Sequence, residues 1–489
     1  MKKRITIIGS GFSALSAACY LTQSGHEVFV YEKNESIGGR ARQLKKGGFT
    51  FDMGPSWYWM PDVFERFFAD FGKKTTDYYE LVKLSPAYRV YFGIQDFIAI
   101  ADNLEEIVST FESVEKGSGN ELRKFMAEAK SNYDIAIKDL VYRPGVSPLE
   151  LITLETTKKL GQFFGNISKD VRKKFKNEKL IQILEFPVLF LGAKPSDTPS
   201  FYSFMNFADF GLGTWHPKTG MFDVVRAMET LARELGVQFF VNSNIEKIIV
   251  ENKIAKAIVV NGERIDSDLV LSGADYHHTE TLLDSEFRQY SEKYWESRVF
   301  APSSLLFYIG FDKKLENISH HMLFFDTDFD QHAKEIYDDP KWPEAPLFYA
   351  NFPSVTDKTA APDGMESAFF LIPLAPGIHD SEKLREEYFG KIILRFEQLT
   401  AQSVKENIIF KESFCKNDFV EQYNSYKGNA YGMANTLLQT AFLRPKLKSG
   451  KVRNLYFTGQ LTVPGPGVPP ALISGKLVSS LINKQFLNE

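Results

Sequence analysis

Residues 5–32 constrain the fold more than any other part of the chain. A short apolar run at 5–8 enters Gly9-Ser10-Gly11-Phe12-Ser13-Ala14. A helical stretch over 14–22 then stops at Gly25, and a second apolar run at 28–31 ends in Glu32. Strand, glycine turn, helix and strand in that order predict a parallel βαβ unit, which belongs in a sheet covered by helices on both faces. Gly9 makes the tight turn and Gly11 lets backbone approach a pyrophosphate, while the first helical residues Phe12, Ser13 and Ala14 offer unpaired N–H groups to the anion. Glu32 stands 21 residues past Gly11, followed by Lys33. At that distance a carboxylate accepts hydrogen bonds from a ribose 2′-OH. A dinucleotide is the expected ligand, and because no second fingerprint of this kind follows another strand, a separate nicotinamide domain is not expected.

Charge and composition remove other classes. Lys and Arg number 58 against 62 Asp and Glu in 489 residues, a net charge of −4 without the basic excess that phosphate backbones require, so nucleic acid is not an expected partner. The two cysteines, Cys19 and Cys415, are too few and too distant for a disulfide framework, which fits a reducing compartment. Eight histidines include the adjacent pairs His277-His278 and His320-His321, but no HExxH and no i, i+4 pair, so no metal is assigned. The apolar run after Met1 ends at Gly9, too short for a signal peptide. The longest apolar stretch, 180–192, contains Gln182, Glu185 and Pro187 and does not qualify as a membrane span. Aromatic residues make up 14% of the chain, with 43 Phe, more than a dinucleotide domain alone calls for.

Downstream of Glu32 the chain reads Gly38-Gly39-Arg40, then Asp52-Met53-Gly54-Pro55-Ser56-Trp57. Two glycines admit a second backbone segment against the pyrophosphate, and Arg40 supplies a fixed donor fork. These segments resemble the flavoproteins that include amine oxidases, protoporphyrinogen oxidases and carotenoid desaturases, which bind FAD. Residues 454–470, with Gly459, Gln460, Gly467, Val468 and Pro469, lead into a helical stretch over 471–482 that contains Leu472. This looks like the closing signature of bacterial carotenoid desaturases of the phytoene desaturase type. It departs from that signature at Gln460, where the family has a small residue, and at Val463, where it often has His. Residues 235–245 and 274–275 resemble the family's central flavin segment, in which Ile245 matches the position whose backbone meets the adenine and Asp275 closes the segment. Further matches lie at 215–220, 373–376, 426–430 and 442–445. The family's Phe-Arg-Asp motif near position 150 is absent; Ser147-Pro148-Leu149-Glu150 stands there.

The resemblance implies an α/β, α+β overall, architecture: a Rossmann-like FAD-binding domain built from 1–72, 219–280 and 448–489, and a substrate domain from 73–218 and 281–447. It also implies a helical, membrane-facing part at about 150–192. The implied activity is carotenoid desaturation with noncovalent FAD, most similar to 1-hydroxycarotenoid 3,4-desaturation, with oxygen or a quinone as electron acceptor. Phytoene desaturase, flavin amine oxidase, and a noncatalytic prenyl- or lipid-binding protein of related fold, such as the Rab GDP-dissociation inhibitors, remain alternatives. The chemistry itself asks little of side chains, and no catalytic residue is assigned; His216, Lys218 and Tyr431, in the matching segments, are candidates for proton transfer or for structural support. An apolar rod dissolves in lipid, so peripheral association with the cytoplasmic side of a membrane is expected. The region 158–182 carries eight basic and two acidic residues, and Phe163, Ile167, Val171 and Phe175 recur every four positions, the pattern of a helix lying on anionic lipid.

Overall fold

In the computed structural model, which describes residues 2–189 and 192–487, the βαβ unit forms as strand Arg4–Ile8, helix Phe12–Gln23 and strand Glu27–Tyr31. The helix starts two residues earlier than the apolar pattern, with Gly11 at its N-cap and no side chain capping it, so its first N–H groups stay open. Ile5 pairs with Val28 on one side and Leu269 on the other. Five parallel strands result, in the order Leu455–Phe457, Leu269–Ser272, Arg4–Ile8, Glu27–Tyr31, Gln238–Phe240. Their near-continuous apolar sequences follow from burial on both faces. A three-stranded antiparallel sheet, Ile245–Glu251, Ile254–Val260 and Glu263–Asp266, lies in the sequence between the outer strand and Leu269–Ser272.

A second large sheet of seven strands runs Ile408–Phe414, Ser303–Phe311, Glu366–Leu374, Phe348–Asn351, His321–Phe324, Tyr88–Gly93, Asp96–Ile100. All neighbours are antiparallel except His321–Phe324 with Tyr88–Gly93. Part of the abundance of Phe is explained here: Phe307, Phe311, Phe324, Phe348, Phe352, Phe370 and Phe396 form one buried cluster between this sheet and helix Glu382–Thr400. Tyr308 donates to the carbonyl of Met53 at 2.9 Å, tying the sheet to the segment that follows the βαβ unit.

The amphipathic stretch expected to face lipid is folded differently. Gly165 ends the helix Leu160–Phe164, and Asn166 caps a new helix, Ile167–Lys174, by accepting from the Lys169 N–H at 2.9 Å. Ile167, Val171 and Phe175 are fully buried, Phe175 meeting Phe111 and Phe125 edge to face. Phe163 stacks on Phe201 with ring centroids 4.5 Å apart. The four-residue repeat is therefore a core stripe and not a lipid face. Half of its basic flank is paired as well: Arg172 with Glu178 and Glu185, Lys173 with Asp170, Lys174 with Glu128, Lys179 with Asp96. Helix Glu178–Leu189 buries Leu180, Ile181, Ile183, Leu184, Phe186 and Val188; positions 190 and 191 of the apolar run lie outside the described residues.

The helix expected over 471–482 extends over Val468–Leu487. Pro469 and Pro470 fit its first turn, where their missing N–H groups have no partner to lose. This helix packs along Phe12–Gln23 at very close range. A Cβ on Gly475 would stand 2.6 Å from the Ser13 carbonyl oxygen and 2.7 Å from the Ala17 nitrogen, and Ser16 Oγ donates to the Leu472 carbonyl at 2.7 Å. Gly475→Val should drive the two helices apart. We expect a loss of roughly 1–3 kcal/mol of stability, read as a lowered unfolding midpoint, with weakened flavin retention in the same variant.

Candidate cofactor and substrate site

A single cavity of about 1110 Å³ runs from the glycine turn of the βαβ unit to the surface beside residues 146–164 and 438–443. Pockets for drug-sized ligands measure roughly 300–1000 Å³. This space lies above that range.

Its inner end is polar. Gly9, Gly11, Phe12 and Ser13 line it together with Gly38, Gly39 and Arg40. The Gly38 N–H donates to the Ser10 carbonyl at 3.1 Å, and a Cβ on Gly39 would stand 3.1 Å from Gly11 Cα, so the two glycine segments touch. Nothing lies within 4 Å of where a Gly11 Cβ would point. The open N–H groups of the helix therefore face space that backbone alone surrounds, the shape a pyrophosphate requires. Glu32 is buried, and its carboxylate accepts from the Ser10 N–H at 3.1 Å and Ser10 Oγ at 2.7 Å on one oxygen, and from the Asn34 N–H and Nδ2 at 2.9 Å on the other. That network fixes the acceptor at the turn. Lys33 reaches away, donating to the Glu421 carbonyl at 2.6 Å and to Asn424 Oδ1 at 3.3 Å, and burial lowers its pKa.

Arg40 donates through Nη2 to Ser425 Oγ at 3.0 Å, and its Nε has no hydrogen-bond partner among the described residues. With its amide oxygen turned toward Arg40, Gln460 accepts from Nη1 at 3.3 Å and Nη2 at 3.1 Å. Burial pushes the Arg40 pKa down, opposed by Asp275. Asp275 also lines the cavity, accepts from the His278 and Tyr426 N–H groups at 3.3 Å, and is pushed up by burial. Ser243, Asn244 and Ile245 close one side of this end; Gly459, Gly467, Val468 and Pro469 close another. Gly54 approaches so tightly that a Cβ would stand 2.1 Å from the Arg40 carbonyl oxygen, and Pro55, Ser56 and Trp57 continue the wall. Two of the sequence candidates fall behind this wall: Ala14 is fully buried under Gly273, and Leu472 is buried with its carbonyl accepting from Ser16.

The outer part is apolar and aromatic, with Met60, Phe163, Phe186, Phe201, Phe204, Phe325 and Phe329 among its lining. A buried polar chain holds one wall in place. Tyr88 meets Trp57 edge to face at 5.3 Å and donates to Asp209 Oδ2 at 2.6 Å; Thr214 donates to Asp209 Oδ1 at 3.4 Å and accepts from Trp59 Nε1 at 2.8 Å. At the mouth, Ile152, Phe164, Leu438 and Leu443 line the cavity and are exposed, Phe164 to 77%, and Val146, Leu149 and Leu154, neighbours of Ile152 in the sequence, are exposed too. Of the proton-transfer candidates, Tyr431 lines the cavity with its pKa raised to about 12 by burial. Lys218 lies outside it, paired with Glu80 at 2.8 Å, and His216 is buried behind the wall. Tyr349, Leu306 and Phe369 also line the cavity. They sit on strands of the seven-stranded sheet, and no sequence motif marks them. Among the described residues no group of three or more His, Cys, Asp or Glu side chains is placed to hold a metal ion.

The flavin-containing amine oxidoreductase family matches residues 12–483. The carotenoid 3,4-desaturase of Haloarcula japonica is 40% identical over 476 residues, covering 96% of both chains. A 4,4′-diapophytoene desaturase of Staphylococcus aureus is 32% identical over 490 residues, covering 97% of both. Among solved structures, an oxidoreductase from Methanosarcina mazei superposes with a TM-score of 0.63 at 17% identity, covering 99% of this chain and all of the other.

Burial pushes Asp209 up to about 7. A carboxyl whose folded pKa is raised contributes its full stability below the unfolded value of about 4 and loses it as pH climbs to about 7. Asp209→Asn imitates the neutral carboxyl, its Oδ1 accepting from one hydroxyl and its Nδ2 donating to the other, and removes that loss. The variant should match the parent near pH 4 and exceed it above pH 7 by up to about 4 kcal/mol, read as the difference between thermal unfolding profiles across pH.

Proposed function

Since the chain belongs to the flavin-containing amine oxidoreductase family, and within it to the carotenoid desaturases, we propose that it introduces a 3,4 double bond into a C40 carotenoid, with the 1-hydroxylated carotenoids as the substrate class. The observation that carries this reading is the continuity of the cavity: a dinucleotide cradle at one end opens directly into an aromatic-lined channel that ends in an exposed apolar rim. A small polar amine has no use for such a channel, and a protein that merely holds a prenyl chain has no use for the cradle.

FAD is the cofactor, and the cradle fits it. Gly9, Gly11, Phe12 and Ser13 would receive the pyrophosphate, Glu32 the adenosine ribose, and the Ile245 backbone the adenine. Gly38, Gly39 and Arg40 would close over the phosphates, while Gly54, Pro55, Ser56, Gly459, Gln460, Gly467, Val468 and Pro469 would surround the flavin ring. Bound FAD supplies a two-electron acceptor that takes a hydride from an allylic carbon. Attachment is noncovalent in this reading, because Cys19 and Cys415 are both fully buried and neither lines the cavity. Oxygen or a quinone then reoxidises the cofactor.

The reading also brings the protein to a lipid surface, and the contact belongs at the cavity mouth. Among the described residues no helix is long and apolar enough to cross a membrane. The exposed apolar side chains of Ile152, Phe164, Leu438 and Leu443 line the opening, so a carotenoid leaving the bilayer there enters the channel without crossing water.

Three measurements test this reading. Anaerobic addition of a 1-hydroxycarotenoid should bleach the flavin spectrum and yield the 3,4-desaturated product by chromatography; turnover of phytoene alone would shift the assignment to the earlier desaturation. Glu32→Ala should weaken FAD by roughly 10- to 100-fold in a fluorescence titration, the loss of a charged acceptor worth about 1.5–3 kcal/mol. A variant carrying Leu149→Ser, Leu154→Ser, Phe164→Ser and Leu438→Ser should lose flotation with liposomes while keeping its turnover in detergent. Flotation equal to the parent would move the membrane contact elsewhere.

A further inference from the structure

Three imidazoles lie together behind the cavity wall, and the cofactor cradle uses none of them. His216, His320 and His321 are all buried. The His320 ring lies 4.2 Å from His216 and 4.5 Å from His321, centroid to centroid. His321 is packed flat against Trp57, with centroids 4.0 Å apart and planes within 7°.

The partners of His321 assign its tautomer. Asn351 Nδ2 stands 3.3 Å from His321 Nδ1 and 2.9 Å from the His320 carbonyl oxygen, which can only accept, so the Asn351 nitrogen is a donor to both. His321 Nδ1 therefore carries the lone pair, and the ring proton sits on Nε2. The Tyr349 hydroxyl, 2.6 Å from the same Nδ1, must donate to it. Ser56 Oγ, 2.9 Å from the Tyr349 oxygen, is then the donor of that bond. Ser56 and Tyr349 both line the cavity. Beyond them, the Nε2 atoms of His320 and His321 and both nitrogens of His216 have no hydrogen-bond partner among the described residues. His320 Nδ1 lies 2.9 Å from Thr356 Oγ1, a half-buried residue beside the exposed Val355. Burial holds all three rings well below the usual histidine range, His216 at about 4, so at neutral pH each is uncharged.

Desaturation removes a hydride from one carbon and a proton from its neighbour. Resting on the desaturase reading above, we propose that Tyr349 and His321 form the relay that receives this proton. The Tyr349 oxygen takes the proton from the carbon next to the one that has lost hydride. In the same movement its own proton goes to His321 Nδ1, so the phenol starts and finishes neutral. The electron pair of the broken C–H bond becomes the second bond of the new alkene, while the hydride and its two electrons have gone to FAD. His321, now doubly protonated, returns its Nδ1 proton to Tyr349 as the phenol passes one to water entering the cavity after the product leaves, which restores the starting tautomer. Tyr349 is thus the catalytic residue, and His321 acts through it.

Tyr349→Phe keeps the ring and its packing and removes only the oxygen; His321→Gln is the second variant, of the residue behind it. With FAD bound, Tyr349→Phe should lower kcat about 100-fold, as loss of a general base does, with KM changed little, and deuterium at the carbon that loses the proton should slow the variant more than the parent. A readout that does not need turnover is the nitrogen spectrum of ¹⁵N-histidine holoprotein: His321 Nδ1 should resonate as an unprotonated, hydrogen-bonded nitrogen and shift in Tyr349→Phe at unchanged FAD affinity. Parent-like kcat in Tyr349→Phe, or a proton found on His321 Nδ1, overturns the relay. A parent protein that binds FAD and desaturates no carotenoid overturns the functional reading, and the relay with it.

Discussion

The contact between helices Phe12–Gln23 and Val468–Leu487 organises the rest of the molecule. Lacking a Cβ, Gly475 lets one helix rest on the backbone of the other beside Ser13 and Ala17. The start of the first helix is thereby held at the glycine turn, and the start of the second is brought to the same end of the cavity, where Val468 and Pro469 meet it. Two helix N-termini with their partial positive charge converge on one volume, and the sheet beneath fixes their direction. The anion-binding character of the cradle follows from packing before any charged side chain is counted.

Local chemistry was the legible part of the sequence. Gly9, Gly11 and Glu32 belong to one short unit whose spacing is set by the length of a strand and a helix, and Gly38, Gly39 and Arg40 follow within a few residues. That these glycine segments meet at one turn could therefore be read from order alone. The seven-stranded sheet could not, because its strands come from segments more than 300 positions apart, such as Tyr88–Gly93 and Ile408–Phe414. Tyr349 carries no motif; its place on the cavity wall exists only once Phe348–Asn351 pairs with His321–Phe324.

The stripe of Phe163, Ile167, Val171 and Phe175 shows why periodicity alone misleads. A four-residue apolar repeat states that one face will be covered, and it does not say by what. Here Phe111, Phe125 and Phe201 cover it, and Arg172, Lys173, Lys174 and Lys179 beside it pair with acidic partners. The side chains left open to the outside, Leu149, Leu154, Phe164 and Leu438, have no periodic signature, since they lie on short turns and helices around the opening.

The order of strands in the parallel sheet also bears on when the protein can become functional during its synthesis. Strand Arg4–Ile8 lies in the middle, yet one of its neighbours is Leu269–Ser272, whose own outer neighbour is Leu455–Phe457. The first helix waits for a partner ending at Leu487. A ribosome making this chain has therefore exposed the first strand, the whole aromatic channel and most of the large sheet before the segment that closes the cradle exists. Pairings across such distances form slowly, and partly folded chains of this kind are prone to aggregate. Flavin capture thus acts as the last assembly step, and the nascent chain depends on protection of its apolar surfaces until its final helix arrives.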